Sequence, residues 1–336
     1  MTLPKRRLGS DGPEITTVGF GAWAVGGGGW SYGWGPQDDA QSVAAMRRAL
    51  ELGVDWIDTA AVYGLGHSET IVGRFLKETA AAQRPLVFTK GGLPGDPKTP
   101  MAEVAQNLQP ASIRRECEAS LRRLGVERID LYQFHWPDET GAAVEDSWAE
   151  MGRLIEAGKV RFGGVSNFGV DLLERCEVRR HVTSLQPPFS LIRRQAAADV
   201  IPWCARHGTG VIVYSPMQAG ILTDDFSRAR VDRMAADDWR RRAQDFRSPR
   251  LEKNLVLRDA LRPVAARHGA TISDVAIAWT LTWPGVTAAI VGARSATQVD
   301  GWIGGASLSL SDSDLDEIAK VIDQSGAGSG PARPWR

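Results

Sequence analysis

The feature that most limits what this chain can fold into is an alternation of eight short β-rich runs with longer segments of helical periodicity. The runs fall at 17–23, 55–59, 86–90, 129–135, 160–166, 184–189, 210–215 and 287–292. Helical patterns fill the gaps at 39–52, 69–77, 111–124, 144–157, 171–180, 196–207, 252–268 and 273–282, and two more follow at 297–303 and 314–322. A helix-length crossover returns the chain to the same edge of a sheet, so the strands pair in parallel. Alternation alone suits an open doubly wound sheet or a closed barrel. Eight units within ~300 residues favour the closed (β/α)8 TIM barrel. Residues 6–8 and 14–16, on either side of Gly9-Ser10-Asp11-Gly12, read as an N-terminal β-hairpin that plugs the barrel floor. The long, Arg- and Asp-rich segment 217–249 reads as a lid or binding loop. The expected organisation is one barrel domain over 1–324, with extra C-terminal helices, and a flexible Gly/Ser-rich tail over 325–336.

Composition narrows the function classes. Forty Lys+Arg balance forty Asp+Glu, a net charge of zero that argues against a nucleic-acid binder. Three widely spaced cysteines form neither a disulfide framework nor a metal cage, so no metal site is expected. The basic N-terminal residues precede no apolar core, and no run approaches the ~18 apolar residues that span a bilayer. The expectation is a cytoplasmic protein with neither membrane nor nucleic-acid partners. Twelve tryptophans against four tyrosines point either to a pocket with aromatic walls or to a Trp-rich core.

In a parallel barrel, chemistry sits where the C-terminal strand ends meet. The second run ends in Asp58 and leads to Tyr63, the third ends in Lys90 and the fourth in His135. A free phenol titrates near pH ~10, and a nearby ammonium stabilises its phenolate. A carboxylate holds that ammonium charged, and an imidazole orients a carbonyl. Together they form an acid/base unit for polarising a carbonyl oxygen. Singly, Asp58 and Lys90 also read as a structural ion pair, Tyr63 as a loop aromatic and His135 as a core histidine. Their common rim position favours chemistry.

Asp58-Thr59-Ala60, Tyr63-Gly64, Gly66-His67-Ser68-Glu69, Thr89-Lys90 and 130–135 stand in an order that resembles the aldo-keto reductases. So do 163–168, Gln186, Tyr214-Ser215-Pro216 and Gly292-Ala293-Arg294-Ser295, and the resemblance spans roughly residues 5–322. Within the family, the chain looks most like a bacterial branch. The resemblance implies a nicotinamide-dependent oxidoreductase that reduces aldehydes or ketones, or oxidises alcohols. Tyr63 would be the general acid, with Lys90 tuning it, Asp58 pairing with Lys90 and His135 orienting the carbonyl. Ser166, Asn167 and Gln186 would hold the nicotinamide carboxamide and Tyr214 would stack under the ring. Trp23, Pro216, Met217, Leu222 and Gly292 complete the expected cofactor set. Potassium-channel β subunits of this family imply the alternative, a cofactor-binding regulatory protein.

No GxGxxG fingerprint stands in a strand–helix context, so the pyrophosphate is expected under the loop 215–222, where Gly220 allows close approach. Arg294, beside Ser295 and Gln298, is the expected contact of a 2′-phosphate, which favours NADP(H). Trp302 stands where the family often has an adenine-contacting Asn. Trp23, Trp30, Trp34 and Trp136, with Tyr32, are expected to wall the pocket of a small carbonyl or alcohol substrate. Trp148, Trp279 and Trp283 are expected to be core. Oligomeric state is not legible.

Overall fold

The structure, a computed structural model, describes residues 2–335. Strands β1 (Lys5–Arg7) and β2 (Glu14–Thr16) form an antiparallel hairpin. Eight strands then close a barrel. They are β3 (Val18–Gly21), β4 (Trp56–Asp58), β5 (Leu86–Gly91), β6 (Ile129–Phe134), β7 (Val160–Ser166), β8 (Ser184–Gln186), β9 (Gly210–Tyr214) and β10 (Val286–Gly292). Each pairs in parallel with the next, and β10 returns to β3. Helices α1 (Asp39–Glu51), α2 (His67–Glu78), α3 (Pro110–Leu124), α4 (Val144–Glu156), α5 (Val170–Glu177) and α6 (Val200–His207) connect successive strands. After β9 come α7 (Arg228–Asp232), α8 (Arg250–Ala260), α9 (Arg262–Arg267) and α10 (Ile272–Leu281), and after β10 come α11 (Ala296–Asp300) and α12 (Asp312–Ser325). The fold is the (β/α)8 barrel that the alternation predicts. The single helix expected over 252–268 is two, because Pro263 lacks an N–H and opens a new helix within its first turn.

The barrel interior is filled from below. Leu8 and Ile15 of the hairpin pack with Trp56, Phe88, Leu131, Ile212, Ala288 and Ile290 from five strands. The Trp56 indole donates to the Thr16 carbonyl at 2.9 Å, which ties the hairpin to β4. Closing the floor with apolar side chains leaves polar ones to gather at the opposite rim. A second, larger core lies between strands and helices and takes in Trp148, Trp279 and Trp283 as expected. No described helix is long and apolar enough to cross a membrane.

Two irregular segments differ in character. The long segment 217–249 is anchored by buried Phe226, Met234 and Phe246 and lies against the loop after β3. Trp239 N–H donates to the Gly33 carbonyl at 3.1 Å, Asp237 accepts from Gly29 N–H at 3.2 Å, and the Arg242 guanidinium reaches the Ser31 carbonyl. The described part of the Gly/Ser-rich segment expected to be mobile, residues 325–335, lies against the barrel. Arg194 donates to the carbonyls of Ala327 and Gly330 at 3.1 and 3.2 Å, and Trp335 meets Trp283 edge-on at 5.2 Å. Its Gly/Ser-rich composition conceals backbone carbonyls that serve as acceptors for a buried arginine.

Candidate active site

Four side chains expected to act together converge at the C-terminal rim. Asp58 closes β4 and Lys90 lies near the end of β5, both fully buried. The Lys90 ammonium donates to Asp58 Oδ1 at 2.5 Å, to the Thr59 carbonyl at 2.9 Å and to the Tyr63 hydroxyl at 3.3 Å. Tyr63 opens a tight turn (Tyr63–Gly66) in which Gly64 has φ 60°. A Cβ on Gly64 would lie 2.4 Å from the Gly26 carbonyl oxygen, so the glycine loop after β3 and the Tyr63 turn touch backbone to backbone. His135 follows β6, and its ring meets the Tyr63 ring edge-on at 5.6 Å.

Burial dominates the electrostatics. It pushes Asp58 up and Lys90 down, while their mutual attraction opposes both shifts and the Gln186 and Gln133 amides further oppose that of Asp58. Burial, together with the Asp58 charge, holds the Tyr63 phenol well above its ordinary value. The net shift is upward because the Lys90 ammonium is already matched by a carboxylate 2.5 Å away, so burial outweighs its pull on the phenol. Burial and the Lys90 charge drive His135 well below its ordinary range, and the imidazole is neutral at physiological pH. Its Nδ1 is buried without a partner in the fold. The arrangement is a protonated phenol and a neutral imidazole facing one space, backed by a charged pair.

The carboxamide candidates also meet. Ser166 Oγ donates to the Gln186 carbonyl at 2.7 Å, and Asn167 Nδ2 donates to Ser166 Oγ at 3.0 Å and to the His135 carbonyl at 2.9 Å. Tyr214 Oη donates to Asn167 Oδ1 at 2.9 Å. Every described non-glycine residue with positive φ lies on a rim loop: Leu65, Asn167, Ser215, Gln218 and Ala219. Such backbone strain persists where the surroundings hold it and concentrates at ligand sites. Three of the five fall in the loop 215–222, with Gly220 at φ 99° beside them, where the pyrophosphate is expected. Pro216 is buried and Met217 is half-buried. Leu222 is fully buried in the core.

Arg294 follows β10 and Gly292, and its backbone N–H donates to Gln298 Oε1 at 2.8 Å. Its guanidinium donates to Gln37 Oε1 at 2.6 Å and reaches the carbonyls of Trp34 and Pro36, but pairs with no carboxylate among the described residues. Burial and the nearby Arg240 lower its proton affinity. A half-buried cation with no ion-pair partner among the described residues fits a phosphate. Trp302 is packed into the core.

Aromatic rings wall the mouth. Trp23 stacks over Tyr63 at 6.1 Å and over Trp239 at 5.0 Å, while Trp34 meets Trp23 edge-on at 5.1 Å. Trp30 lies 6.4 Å from Tyr63, with Tyr32 against it at 6.0 Å. Trp136 stays 39 % exposed and enters none of these stacks. Sequence reading missed Trp239, which sits in a poorly periodic loop, and Gln133, an inward position of β6 whose polarity was the available signal. Glu69 closes the Gly66-His67-Ser68-Glu69 motif. It is fully buried, accepting from Thr89 Oγ1 at 2.6 Å and from the Arg123 guanidinium at 2.7 Å, and so braces β5 from α2.

Comparison with known proteins agrees with this geometry. The sequence pattern of the Aldo/keto reductase family matches residues 17–323. An aldo-keto reductase of Bacillus subtilis, YhdN, is 31% identical over 94% of this chain and 92% of its own. The NADH-specific methylglyoxal reductase of Escherichia coli is 30% identical over 96% of this chain and 100% of its own. Among solved structures, the glycerol dehydrogenase of Gluconobacter oxydans superposes with a TM-score of 0.85 at 35% identity, covering 97% of both chains. This chain belongs to the aldo/keto reductase family, and is thereby an oxidoreductase of carbonyls and alcohols that uses a nicotinamide cofactor.

Proposed function

We propose that the chain is an NADP(H)-dependent reductase of small aldehydes or ketones in which Tyr63 is the general acid. The observation that carries this reading is the Tyr63 hydroxyl, held protonated by burial, 3.3 Å from an ammonium that is itself fixed by Asp58 at 2.5 Å. When bound, the nicotinamide supplies the hydride. The protein supplies everything else. Tyr63 Oη gives its proton to the carbonyl oxygen, and Lys90 stabilises the phenolate left behind. Neutral His135 has one ring N–H to donate and so orients the carbonyl without competing as an acid. Ser166, Asn167 and Gln186 hold the carboxamide, Tyr214 packs under the ring, and the loop 215–222 cradles the pyrophosphate. Fixing donor and acceptor in one orientation is worth several kcal/mol of barrier, typically ~7–11. In the reverse direction the Tyr63 phenolate removes the alcohol proton.

Arg294 supports a 2′-phosphate and hence NADP(H), whereas the Escherichia coli relative is named for NADH. The stacked walls of Trp23, Trp34 and Trp239 suit a small carbonyl with an apolar or sugar-like face, because rings stack on both. Names among the relatives direct the choice of first substrates to methylglyoxal and glycerol. The test is a panel of aldehydes, ketones and polyols assayed in both directions with both cofactors. The expected result is NADPH oxidation with at least one carbonyl. Replacing Arg294 by Ala should raise KM for NADPH roughly tenfold or more with little change for NADH. Equal losses would overturn the cofactor assignment, and no turnover across the panel would overturn the reductase reading.

A further inference from the structure

Three amide and carboxylate groups meet inside the barrel below the reactive rim. Gln133 lies fully buried in β6, opposite Lys90 of β5 and Gly164 of β7. A Cβ at Gly164 would come within 3.1 Å of Gln133 Cγ and 2.3 Å of Ser184 Oγ, so the glycine is what admits this side chain. Gln186 Nε2 donates to Asp58 Oδ2 at 2.9 Å and approaches Gln133 Oε1 at 3.4 Å, while Gln133 Nε2 approaches Asp58 Oδ2 at 3.5 Å.

An ionised carboxylate only accepts, so the atom each glutamine turns toward Asp58 must be its NH2. Both hydrogens of the Gln186 amide are then taken, one by Asp58 and one by Gln133. What Gln186 has left for a ligand is its carbonyl oxygen, which suits the NH2 of a carboxamide. We propose that Gln133 is a positioning residue that locks the Gln186 amide with its oxygen toward the nicotinamide carboxamide. It thereby joins cofactor orientation to the Asp58–Lys90–Tyr63 unit. The inference rests on the functional reading above, and it concerns a side chain that touches neither substrate nor cofactor.

The experiment uses the full chain with Gln133→Met, which keeps length and volume but removes donor and acceptor, and Gln133→Glu. NADPH affinity is read by its fluorescence on binding, with 2′,5′-ADP as a probe that carries the phosphates and adenosine but no nicotinamide. Melting temperature with and without 2′,5′-ADP reports folding. In Gln133→Met, NADPH affinity should fall about three- to tenfold, the scale of one buried hydrogen-bond partner, while 2′,5′-ADP binds as in the parent. The kcat for a carbonyl should fall by a similar factor with its KM within twofold. In Gln133→Glu the NH2 that Gln133 turns toward Asp58 is replaced by a second carboxylate, which repels Asp58 and disturbs the Gln186 amide, so the loss should be larger at pH 8 and shrink toward pH 6 as the new acid takes a proton. Unchanged NADPH binding in a folded Gln133→Met, or equal losses for NADPH and 2′,5′-ADP, would overturn the assignment. Should the Met variant not fold, the Glu variant decides, and a loss independent of pH would overturn it. A parent protein that binds neither NADPH nor NADH would instead remove the underlying functional reading.

Discussion

Replacing Lys90 by Met isolates the buried charge pair at the centre of the site. Both side chains are buried, 0% and 3% exposed, and the ammonium makes all its contacts within 3.3 Å of Asp58, Thr59 and Tyr63. Met nearly matches Lys in shape, so packing survives and the loss is electrostatic. It leaves the Asp58 carboxylate buried with only the amides of Gln186 and Gln133 as donors. Stranding one member of a buried pair costs about 3–5 kcal/mol.

That cost depends on pH, with a defined sign. Burial already raises the Asp58 carboxyl in the parent, and removing Lys90 takes away the attraction that opposes this, so its folded-state pKa rises further above the unfolded value of ~3.9 and the folded state binds the proton more tightly. The variant is then closest to the parent at acid pH and loses ground as pH rises through the new Asp58 pKa. Urea denaturation of parent, Lys90→Met, Asp58→Asn and the double variant at pH 5.5 and pH 8 reads this directly. The double variant removes the stranded charge and should recover about 2 kcal/mol relative to Lys90→Met at pH 8. The kcat of Lys90→Met should fall by roughly 10²- to 10⁴-fold. A Lys90→Met protein within ~1 kcal/mol of the parent at both pH values, with additive variants, would refute a coupled buried pair.

Two further outcomes are expected. Glu116 accepts from Gly92 N–H at 3.0 Å at the end of β5, and burial raises its carboxyl to about 7. The folded state therefore binds the proton more tightly than the unfolded chain, and this group's contribution to stability is lost as pH rises from its ordinary 4.5 through 7. The loss amounts to about 3 kcal/mol at ~1.4 kcal/mol per unit. Glu116→Gln should flatten that part of the stability profile between pH 5 and pH 8 in thermal denaturation. An unchanged slope would contradict it. Trp239→Ala removes the ring stacked on Trp23 at 5.0 Å, so the KM for a carbonyl should rise roughly tenfold with kcat within about threefold, whereas an unaltered KM would remove Trp239 from the substrate wall.

Much of the fold and site was legible because periodicity reports burial. Strand and helix runs follow from which faces must be apolar, and strand ends place Asp58, Lys90 and His135 on one rim with Tyr63 just beyond. What sequence reading missed has physical causes. The chain after Ser325 packs through backbone carbonyls on Arg194, and carbonyls are the same in every residue. Trp239 reaches the site from a loop whose path is set by contacts with Gly29, Ser31 and Gly33, not by local periodicity. The direction of the Tyr63 shift depends on how completely Asp58 matches Lys90 and on burial, both properties of the folded rim. Core tryptophans 148, 279 and 283 were legible because they fall in helical patterns, whereas Trp136 stands exposed although its neighbour His135 is buried.

The central claim is that Tyr63 delivers the proton. Tyr63→Phe removes one oxygen and leaves the ring in its stack with Trp23 and Trp30. Steady-state reduction of the best carbonyl, alongside NADPH binding by fluorescence, tests it most directly. Turnover should drop by about 10²-fold or more while NADPH affinity stays within twofold. A folded Tyr63→Phe protein that keeps the parent's turnover would contradict the account.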